Sequence, residues 1–196
     1  MAEERIAERI DANLLDVTME DLHDMPQQLY EGKITKLREK TQGQLVIKEY
    51  PTASAHSGHF KSLMNELALK KSFRPDVIFI DYLNICASSR FKGGNISSYF
   101  YVKAIAEELR GLAVEFNVPI FSATQTTRTG YVSTDIGLED TSESFGLPAT
   151  ADFMFALISN EELEALGQMK VKQLKNRYND PSINRAFIIG VDRAKM

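Results

Sequence analysis

The sequence has one cysteine, no long apolar run and no excess of basic residues. Cys86 alone cannot form an intrachain disulfide, which fits a reducing compartment. No apolar run approaches the ~20 residues that a membrane-spanning helix needs, and the charged start of the chain excludes a secretory signal. We therefore expect a cytoplasmic protein with no membrane partner. The formal net charge of -4 argues against binding polyanions through bulk charge, but a local basic patch stays compatible with nucleic acid.

The sequence also lacks Gly-x-x-x-x-Gly-Lys-Ser/Thr, the loop that cradles nucleotide phosphates in many hydrolases. Gly32-Lys33 has no glycine at the required spacing and no Ser or Thr after it. The length of 196 residues suits one domain, and no repeat or linker divides it. We therefore treat residues 1–196 as a single unit that does not carry its own phosphate cradle.

The feature around which the chain is organised is a short apolar strand that ends in an acid. Val77 to Ile80 form a run rich in β-branched and aromatic side chains, and Asp81 follows at once. Such a run is typical of a strand buried on both faces in a parallel sheet. The carboxyl ends of these strands are where open α/β sheets bind ligands, and a carboxylate there holds magnesium in nucleotide hydrolases. The alternative is an Asp that only begins a turn.

Hydrophobic periodicity predicts helices and strands along the rest of the chain. Helices are predicted from the start of the chain to about Leu14, after a Thr18–Asp21 capping pair, and from Pro26 to about Lys40. A fourth helix is predicted to end near Lys71, with cap candidates Ser54 and Ser57, and a fifth runs from about Tyr99 to Asn117. Strands are predicted at 45–50, 118–123, 153–158, 169–174 and 186–191, the last two as a hairpin. His56 and His59 have a spacing that some metal sites use, but without further ligands nearby a helix start is favoured.

Polar side chains follow several of these strands. Asp81 follows the first, Gln125 lies just past Ala123, and Lys175 with Arg177 follow a later strand. In a parallel sheet these ends share one edge, so the four side chains are candidates for one site. A carboxylate can hold magnesium, an amide can contact a γ-phosphate, and a guanidinium can neutralise charge that develops on phosphoryl oxygens. The alternative is that each residue only ends a strand.

The order of these blocks resembles the DnaB-type hexameric replicative helicases. The resemblance rests on five blocks: Val77 to Leu83, which ends in Ile-Asp-Tyr-Leu; the helix before Val118-Pro119-Ile120; Ser122-Ala123-Thr124-Gln125; Glu143-Ser144 with Ala151-Asp152; and Lys175-Asn176-Arg177. The blocks cover roughly Pro75 to Val191, and the chain is most similar to the helicases of T4-like bacteriophages, which partner a primase. A RecA-like recombinase is a weaker alternative. The resemblance implies a RecA-like P-loop NTPase core of α/β class, mainly a parallel sheet flanked by helices, with a C-terminal antiparallel hairpin and without the P-loop strand.

The resemblance also implies roles for individual residues and for ATP and Mg²⁺ as cofactors of the complete enzyme. Asp81, in the Walker B position beside Tyr82, would bind magnesium through water, and Gln125 would sense the γ-phosphate. Arg177 would be an arginine finger donated to a neighbouring subunit's nucleotide, with Lys175 beside it.

The contacts to single-stranded DNA are less well specified by the resemblance. Glu143 falls in the loop that lines the central channel of the family, but Ser142 and Phe145 replace the Arg and Gly that the family has around it. Basic residues in other loops are alternative phosphate contacts; these are Arg90, Lys92 and Arg128. Each of them is equally compatible with a solvated loop charge.

The function that the resemblance implies is part of an ATP-driven hexameric replicative DNA helicase that moves 5′ to 3′ on single-stranded DNA and unwinds the duplex. Its partners would be identical subunits in a ring, single-stranded DNA and a primase, in the host cytoplasm if the protein is phage-encoded. Without a phosphate cradle, we expect the chain alone not to hydrolyse ATP and to be marginally stable or self-associating. The alternatives are half of a split helicase and a non-catalytic module that binds a hexamer or single strands.

Overall fold

The computed structural model describes residues 2–91, 96–126, 136–141 and 146–195, and for Glu139 the backbone alone. The helices are α1 (Glu3–Leu15), α2 (Met19–Asp24), α3 (Gln27–Lys40), α4 (Ser57–Lys71), α5 (Ser98–Phe116), α6 (Gly146–Thr150) and α7 (Glu161–Ala165). The strands are β1 (Ile78–Ile80), β2 (Ile120–Ser122), β3 (Phe153–Ile158), β4 (Gln168–Asn176) and β5 (Ala186–Gly190). Short 3-10 turns lie at Leu83–Ile85, Leu138–Asp140 and Arg193–Lys195.

Three helices at the start of the chain form where the local signals predict them. Thr18 Oγ1 accepts a hydrogen bond from the Asp21 amide at 3.0 Å, and Asp21 answers with its carboxylate, so the predicted capping box is confirmed. Helix α3 follows Pro26 and ends at Lys40, also as predicted. The first helix meets the last residues of the chain, because Asn13 Nδ2 donates to the Lys195 carbonyl at 2.7 Å.

Helix α5 carries the main hydrophobic core. Its side chains at three- and four-residue spacing are buried against Leu83, Cys86 and Leu147, and Ile105 is 1% exposed. The buried members of α5 in this core are Val102, Ile105, Ala106 and Leu109. Burial raises the pKa of the Cys86 thiol to about 11, so this cysteine packs as an apolar side chain at neutral pH. The predicted helix is confirmed, and it fixes the segment that follows β1.

The strands form a parallel pair and a separate antiparallel sheet. Strands β1 and β2 pair in parallel, with Ile78 opposite Ile120 and Ile80 opposite Ser122. Strands β3, β4 and β5 form a three-stranded antiparallel sheet in that order, which confirms the predicted hairpin. Strand β3 is antiparallel to β4 because residues 159–167 between them are fewer than the roughly dozen that a parallel crossover needs. The predicted α/β class is confirmed, and parallel pairing among the described residues is confined to β1 and β2.

The prediction that the first strand is buried on both faces is wrong for this chain. Phe79 is 73% exposed and Phe121 beside it is 55% exposed, and their rings stack at 5.3 Å. Strand β3 likewise exposes Phe153 and Phe155 on one face. An apolar run therefore identified the strands correctly, but the run does not say how many layers cover them.

The strand predicted at 45–50 does not form, since no described residue pairs with it. Leu45 is 63% exposed, and the segment is held instead by Glu3, whose carboxylate accepts the Glu49 amide at 2.9 Å. Tyr50 packs edge-on against Phe60 at 5.7 Å. None of the helices in the described part of the chain is both long enough and apolar enough to cross a membrane.

Candidate functional site

Asp81 lies directly after β1 with an exposed carboxylate. No described residue makes a hydrogen bond or an ion pair to this side chain. Around it the backbone is tied to β2: Ser122 Oγ donates to the Ile80 carbonyl at 2.8 Å, and the Leu83 amide donates to the Ala123 carbonyl at 3.2 Å. The parallel pairing therefore continues past the strands and fixes the backbone on either side of Asp81 while its carboxylate stays available.

Gln125 is brought to the same edge as Asp81 by contacts between the two segments that follow the strands. Its side-chain amide donates to the Tyr82 hydroxyl at 3.3 Å, and Thr124 Oγ1 donates to Asn84 Oδ1 at 2.8 Å. The structure thus brings together three of the predicted site residues, Asp81, Tyr82 and Gln125. The reason is the one that the sequence indicates, namely that parallel strands end at one edge.

Lys175 and Arg177 lie in a second cluster, which is centred on Asp152. Asp152 Oδ1 accepts a hydrogen bond from Arg110 Nη1 at 2.8 Å and forms an ion pair with Arg177, whose Nε lies 2.9 Å away. Arg177 Nη2 also donates to the Ala149 carbonyl at 3.0 Å, and Lys175 Nζ donates to the Pro148 carbonyl. These carbonyls belong to α6, so cations gather at the carboxyl end of that helix, where the dipole favours positive charge.

The Asp152 cluster holds three cationic side chains and one carboxylate. The side chains of Arg110, Asp152 and Arg177 are 37%, 33% and 41% exposed, so water reaches all three. Burial lowers the pKa of Lys175, and nearby Arg177 acts in the same direction. The hydrogen bond to Asp152 raises the pKa of Arg110. A partly exposed cluster with an excess of cations can accept a further anion such as a phosphate group.

The expectation that all four strand-end residues share one edge of a parallel sheet does not hold. Strand β4 is antiparallel to β3, and Lys175 is paired with Met154 near the start of β3. The end of β4 therefore lies beside the beginning of its neighbour, where a parallel sheet would place two carboxyl ends together. Among the described residues, no hydrogen bond or ion pair joins Asp81 or Gln125 to Lys175 or Arg177.

Of the four predicted DNA contacts, the structure describes only Arg90, since Lys92, Arg128 and Glu143 lie outside the described residues. Arg90 Nη1 is paired with Glu107 at 2.5 Å on the surface of α5. The segment that leads to Arg90 is held by Glu108, whose carboxylate accepts hydrogen bonds from Ser88 Oγ at 2.5 Å and Ser89 Oγ at 2.7 Å. Glu108 therefore fixes the start of this loop against α5.

His56 and His59 cap a helix, as the sequence favoured. The His56 ring accepts from the Gly58 amide at 3.0 Å, and the His59 ring accepts from the His56 amide at 3.3 Å, which makes a capping box at α4. The cap candidates Ser54 and Ser57 are therefore wrong: His56 is the N-cap, and Ser57 Oγ donates to Glu108 at 2.8 Å. In the part of the chain that is described, no group of three metal-binding side chains is assembled.

Sequence reasoning missed the partners that hold the predicted residues. Asp152 enters the sequence prediction only as a family position, and the sequence does not single out Arg110 or Glu108. Arg110 and Asp152 are 42 residues apart in the chain, and Ser57 and Glu108 are 51 apart. Local periodicity carries no signal for such contacts, so only the structure identifies them.

A cavity of about 450 Å³ lies beside β4 and the turn that leads to β5. Its lining includes Lys172, Gln173, Asp180 and Arg185. None of the predicted site residues that the structure describes lines it. The candidate site residues therefore lie at the open ends of the strands and in the exposed cluster around Asp152.

The parallel strand pair with Asp81 and Gln125 at its carboxyl edge, together with the flanking helices, forms an α/β core with a RecA-like fold. Two solved structures have this fold. One is an ATPase domain that aligns with a TM-score of 0.73 at 17% identity, over 96% of this chain and 66% of that one. The other is a DnaB-like replicative helicase, whose structure describes its interactions with primase. It aligns with a TM-score of 0.72 at 17% identity, over 96% of this chain and 45% of that one.

The sequence comparisons define the family. Residues 1–189 match the DnaB-like helicase C terminal domain, and the chain belongs to this family. It is 49% identical over 196 residues to the DnaB-like replicative helicase of Enterobacteria phage T4, which covers 98% of this chain and 41% of that protein. It is 34% identical over 133 residues to the probable plasmid replicative DNA helicase of Chlamydia trachomatis, covering 65% of this chain and 27% of that protein. The chain thus spans less than half the length of these relatives.

Proposed function

We propose that this chain, as one partial RecA-like domain over residues 1–196, forms part of an ATP-driven replicative DNA helicase. In this proposal Asp81 holds Mg²⁺ through water and Gln125 senses the γ-phosphate of the same nucleotide. Arg177 and Lys175 act on the nucleotide of a neighbouring subunit. The observation that carries the proposal is the separation of these residues into two clusters, one at the β1–β2 edge and one around Asp152. An arginine finger that acts on a neighbour's nucleotide does not need to contact the metal site of its own subunit.

The residues present suit the metal part of such a site. Magnesium prefers oxygen ligands and keeps several of its waters, so one unpaired carboxylate at a strand end is a suitable anchor. The Asp81 carboxylate meets this requirement, because no described residue occupies it. Bound ATP with Mg²⁺ would supply the free energy of phosphoryl transfer, and Gln125 would orient groups at the γ-phosphate from its position beside Tyr82.

The phosphate cradle is the part that the 196 residues do not supply, since they contain no Gly-x-x-x-x-Gly-Lys-Ser/Thr. We therefore expect the purified chain not to hydrolyse ATP. Robust turnover by this chain, lost in a D81N variant, would show that the phosphates are held in some other way and would contradict the proposal.

The proposed partners are identical subunits in a hexameric ring, single-stranded DNA, and a primase of the same replication system in the cytoplasm of the host. A ring is required because Arg177 needs a neighbour's nucleotide. Arg90 lies on a loop that Glu108 fixes to α5. A fixed loop suits a contact to a DNA phosphate, because phosphate contacts set the register of a protein on the DNA. Lys92, Arg128 and Glu143 remain proposed DNA contacts on sequence grounds alone.

The decisive experiment mixes two inactive variants of the protein made from its complete reading frame. R177A should lack the finger but keep its metal site, and D81N should lack the metal site but keep its finger. If Arg177 acts in trans, rings mixed from both variants contain some sites with a wild-type Asp81 facing a wild-type Arg177. We expect each variant alone to have less than about 1% of wild-type ATP turnover, from the 10³–10⁵ that a finger contributes.

Mixing should then restore a measurable fraction of the turnover, with a maximum near equal amounts. Two R177A samples mixed together serve as the control and should stay inactive. If mixing restores nothing while native mass spectrometry shows mixed rings, Arg177 acts within its own subunit and the proposal of a trans finger fails.

The absent cradle is also compatible with a second function, namely one half of a split helicase or a non-catalytic module that binds a hexamer or single strands. The coding sequence next to this one separates these possibilities. An in-frame phosphate-binding motif supports a single helicase chain and a separate gene that carries the motif supports a split one, while neither supports a module. In the last case, binding of labelled single-stranded DNA by the chain without ATP is the expected activity.

A further inference from the structure

The side chain of Arg177 is bound inside its own subunit. Its Nε lies 2.9 Å from Asp152 Oδ1 in an ion pair, and its Nη2 donates a hydrogen bond to the Ala149 carbonyl at 3.0 Å. The backbone is fixed as well, since the Arg177 amide donates to the Asp152 carbonyl at 2.9 Å. The Nε and Nη2 nitrogens are thus engaged by acceptors of the same chain, so a phosphate that binds at these nitrogens must compete with them.

We propose that Asp152 is a positioning residue that holds Arg177 within its own subunit, an arrangement that we call the parked state. A neighbour's phosphate must then compete with this carboxylate for the guanidinium. The inference rests on the proposed role of Arg177 in trans and adds a means of regulating it. The parked geometry keeps the finger near its working place and limits its action until a phosphate is offered. A guanidinium can pass between a carboxylate and a phosphate because both present two oxygens to the same fork of donors.

Arg110 makes this exchange possible. Its Nη1 donates to the same Oδ1 of Asp152 at 2.8 Å and to the Thr150 carbonyl at 2.8 Å. When Arg177 leaves, Asp152 keeps Arg110 as its partner and is not left as an unpaired charge, which would be costly. Since the three side chains are about a third to two-fifths exposed, the pair that breaks is a weak one and its release is reversible.

Lys175 is held by the same helix. Its Nζ donates to the carbonyl of Pro148, with a longer contact of 3.5 Å to that of Ala149, and the burial that accompanies this position lowers its pKa. Helix α6 is anchored in turn, because Leu147 is buried in the core against α5. The acceptors that hold the finger therefore belong to the rigid part of the chain, while the cations are on the end of β4. The exchange moves side chains and leaves the fold in place.

The test compares D152N with R110Q in the protein made from its complete reading frame, with ATP turnover measured in the absence of DNA. D152N weakens the parked state and should raise turnover by about two- to fivefold, the range that corresponds to a partly exposed ion pair. R110Q leaves Asp152 to Arg177 alone and should lower turnover by a similar factor. D24N, the same chemical change at an exposed position of α2, is the matched control and should leave turnover unchanged.

Opposite shifts in the two variants cannot come from a purely structural role, since damage to the fold lowers turnover in both. Equal or unchanged turnover in D152N and R110Q, or shifts in the same direction, would overturn the inference. If D152N fails to fold by circular dichroism, R110Q decides: a lower turnover supports parking, and a raised or unchanged one overturns it. The double variant D152N/R177A should be as inactive as R177A. Full activity of R177A would sink the proposed function itself, which separates that failure from a failure of the parking inference.

Discussion

The Glu108 carboxylate on α5 and the Ser88 hydroxyl, 20 residues earlier in the chain, are joined by a hydrogen bond of 2.5 Å. The same carboxylate accepts from the Ser57 hydroxyl at 2.8 Å and from the amides of Ser89 and Arg90. One side chain thus ties the start of α4 and the loop after β1 to the central helix. Because this loop carries Arg90, the Glu108 carboxylate, for which the sequence predicts no role, fixes the start of the loop that carries a predicted DNA contact.

We predict that E108Q destabilises the protein by about 1–3 kcal/mol, the cost of disturbing partly buried hydrogen bonds to a charged group. The neutral amide has fewer acceptor sites and presents donors toward hydroxyls and amides that need an acceptor. The free energy of unfolding in urea measures the effect. E107Q, one residue away on α5 with a partly exposed side chain in a surface ion pair, is the matched control and should change stability by less than about 1 kcal/mol. Equal effects of the two variants would contradict a special role for Glu108.

The stabilisation by Glu108 should also depend on pH. Burial alone would raise the pKa of Glu108, but the hydrogen bonds from Ser88, Ser89 and Ser57 outweigh it and lower the pKa from 4.5 to about 2. A carboxyl group whose pKa is lower in the folded state stabilises that state fully above its unfolded pKa and loses this contribution as the pH falls toward its folded pKa. The difference in unfolding free energy between wild type and E108Q should therefore shrink between about pH 5 and pH 2. A difference that stays constant over this range would show that Glu108 keeps its ordinary pKa.

The sequence predicted best where structure depends on neighbours in the chain. Thr18 and Asp21 form their capping box because both partners lie within one turn of helix. The strand after Pro75 and the acid at its end are predictable for the same reason. The segment at 45–50 has the composition of a strand but lacks one, because a strand needs an unpaired edge beside it, and composition does not report whether such an edge is in reach.

The candidate site shows the same limit. Asp81 and Gln125 lie at one edge as expected, because parallel pairing of β1 and β2 is the only requirement. The position of Arg177 depends on the antiparallel pairing of β4 with β3 and on Asp152, a partner from another part of the chain. A resemblance to a family supplied the identity of the residue, whereas its partner in this chain came only from the structure.

The core prediction concerns Ile105, the most buried large side chain of α5 at 1% exposure. I105A should lower the free energy of unfolding by about 2–5 kcal/mol, since it removes apolar contacts and leaves a cavity in a packed core. Val114 lies on the same helix with 73% exposure, and V114A should change stability by less than about 0.5 kcal/mol. Thermal or urea unfolding of the two variants checks this. A similar loss in both would mean that α5 does not pack as described.

The exposed aromatic pair on the parallel strands gives the last prediction. Phe79 and Phe121 stack with ring centroids 5.3 Å apart and an angle of 24° between their planes, yet 73% and 55% of their surfaces reach solvent. An apolar patch of this kind favours association, so the 196-residue chain should self-associate with rising concentration in sedimentation velocity experiments. The double variant F79S/F121S should reduce this association and lower stability by about 0.5–1.5 kcal/mol, the value of one aromatic pair. The control L69S changes a single exposed leucine of α4 and should leave association as it was. If the double variant associates as strongly as wild type, a different surface joins the chains, and the exposed face of β1 and β2 does not drive association.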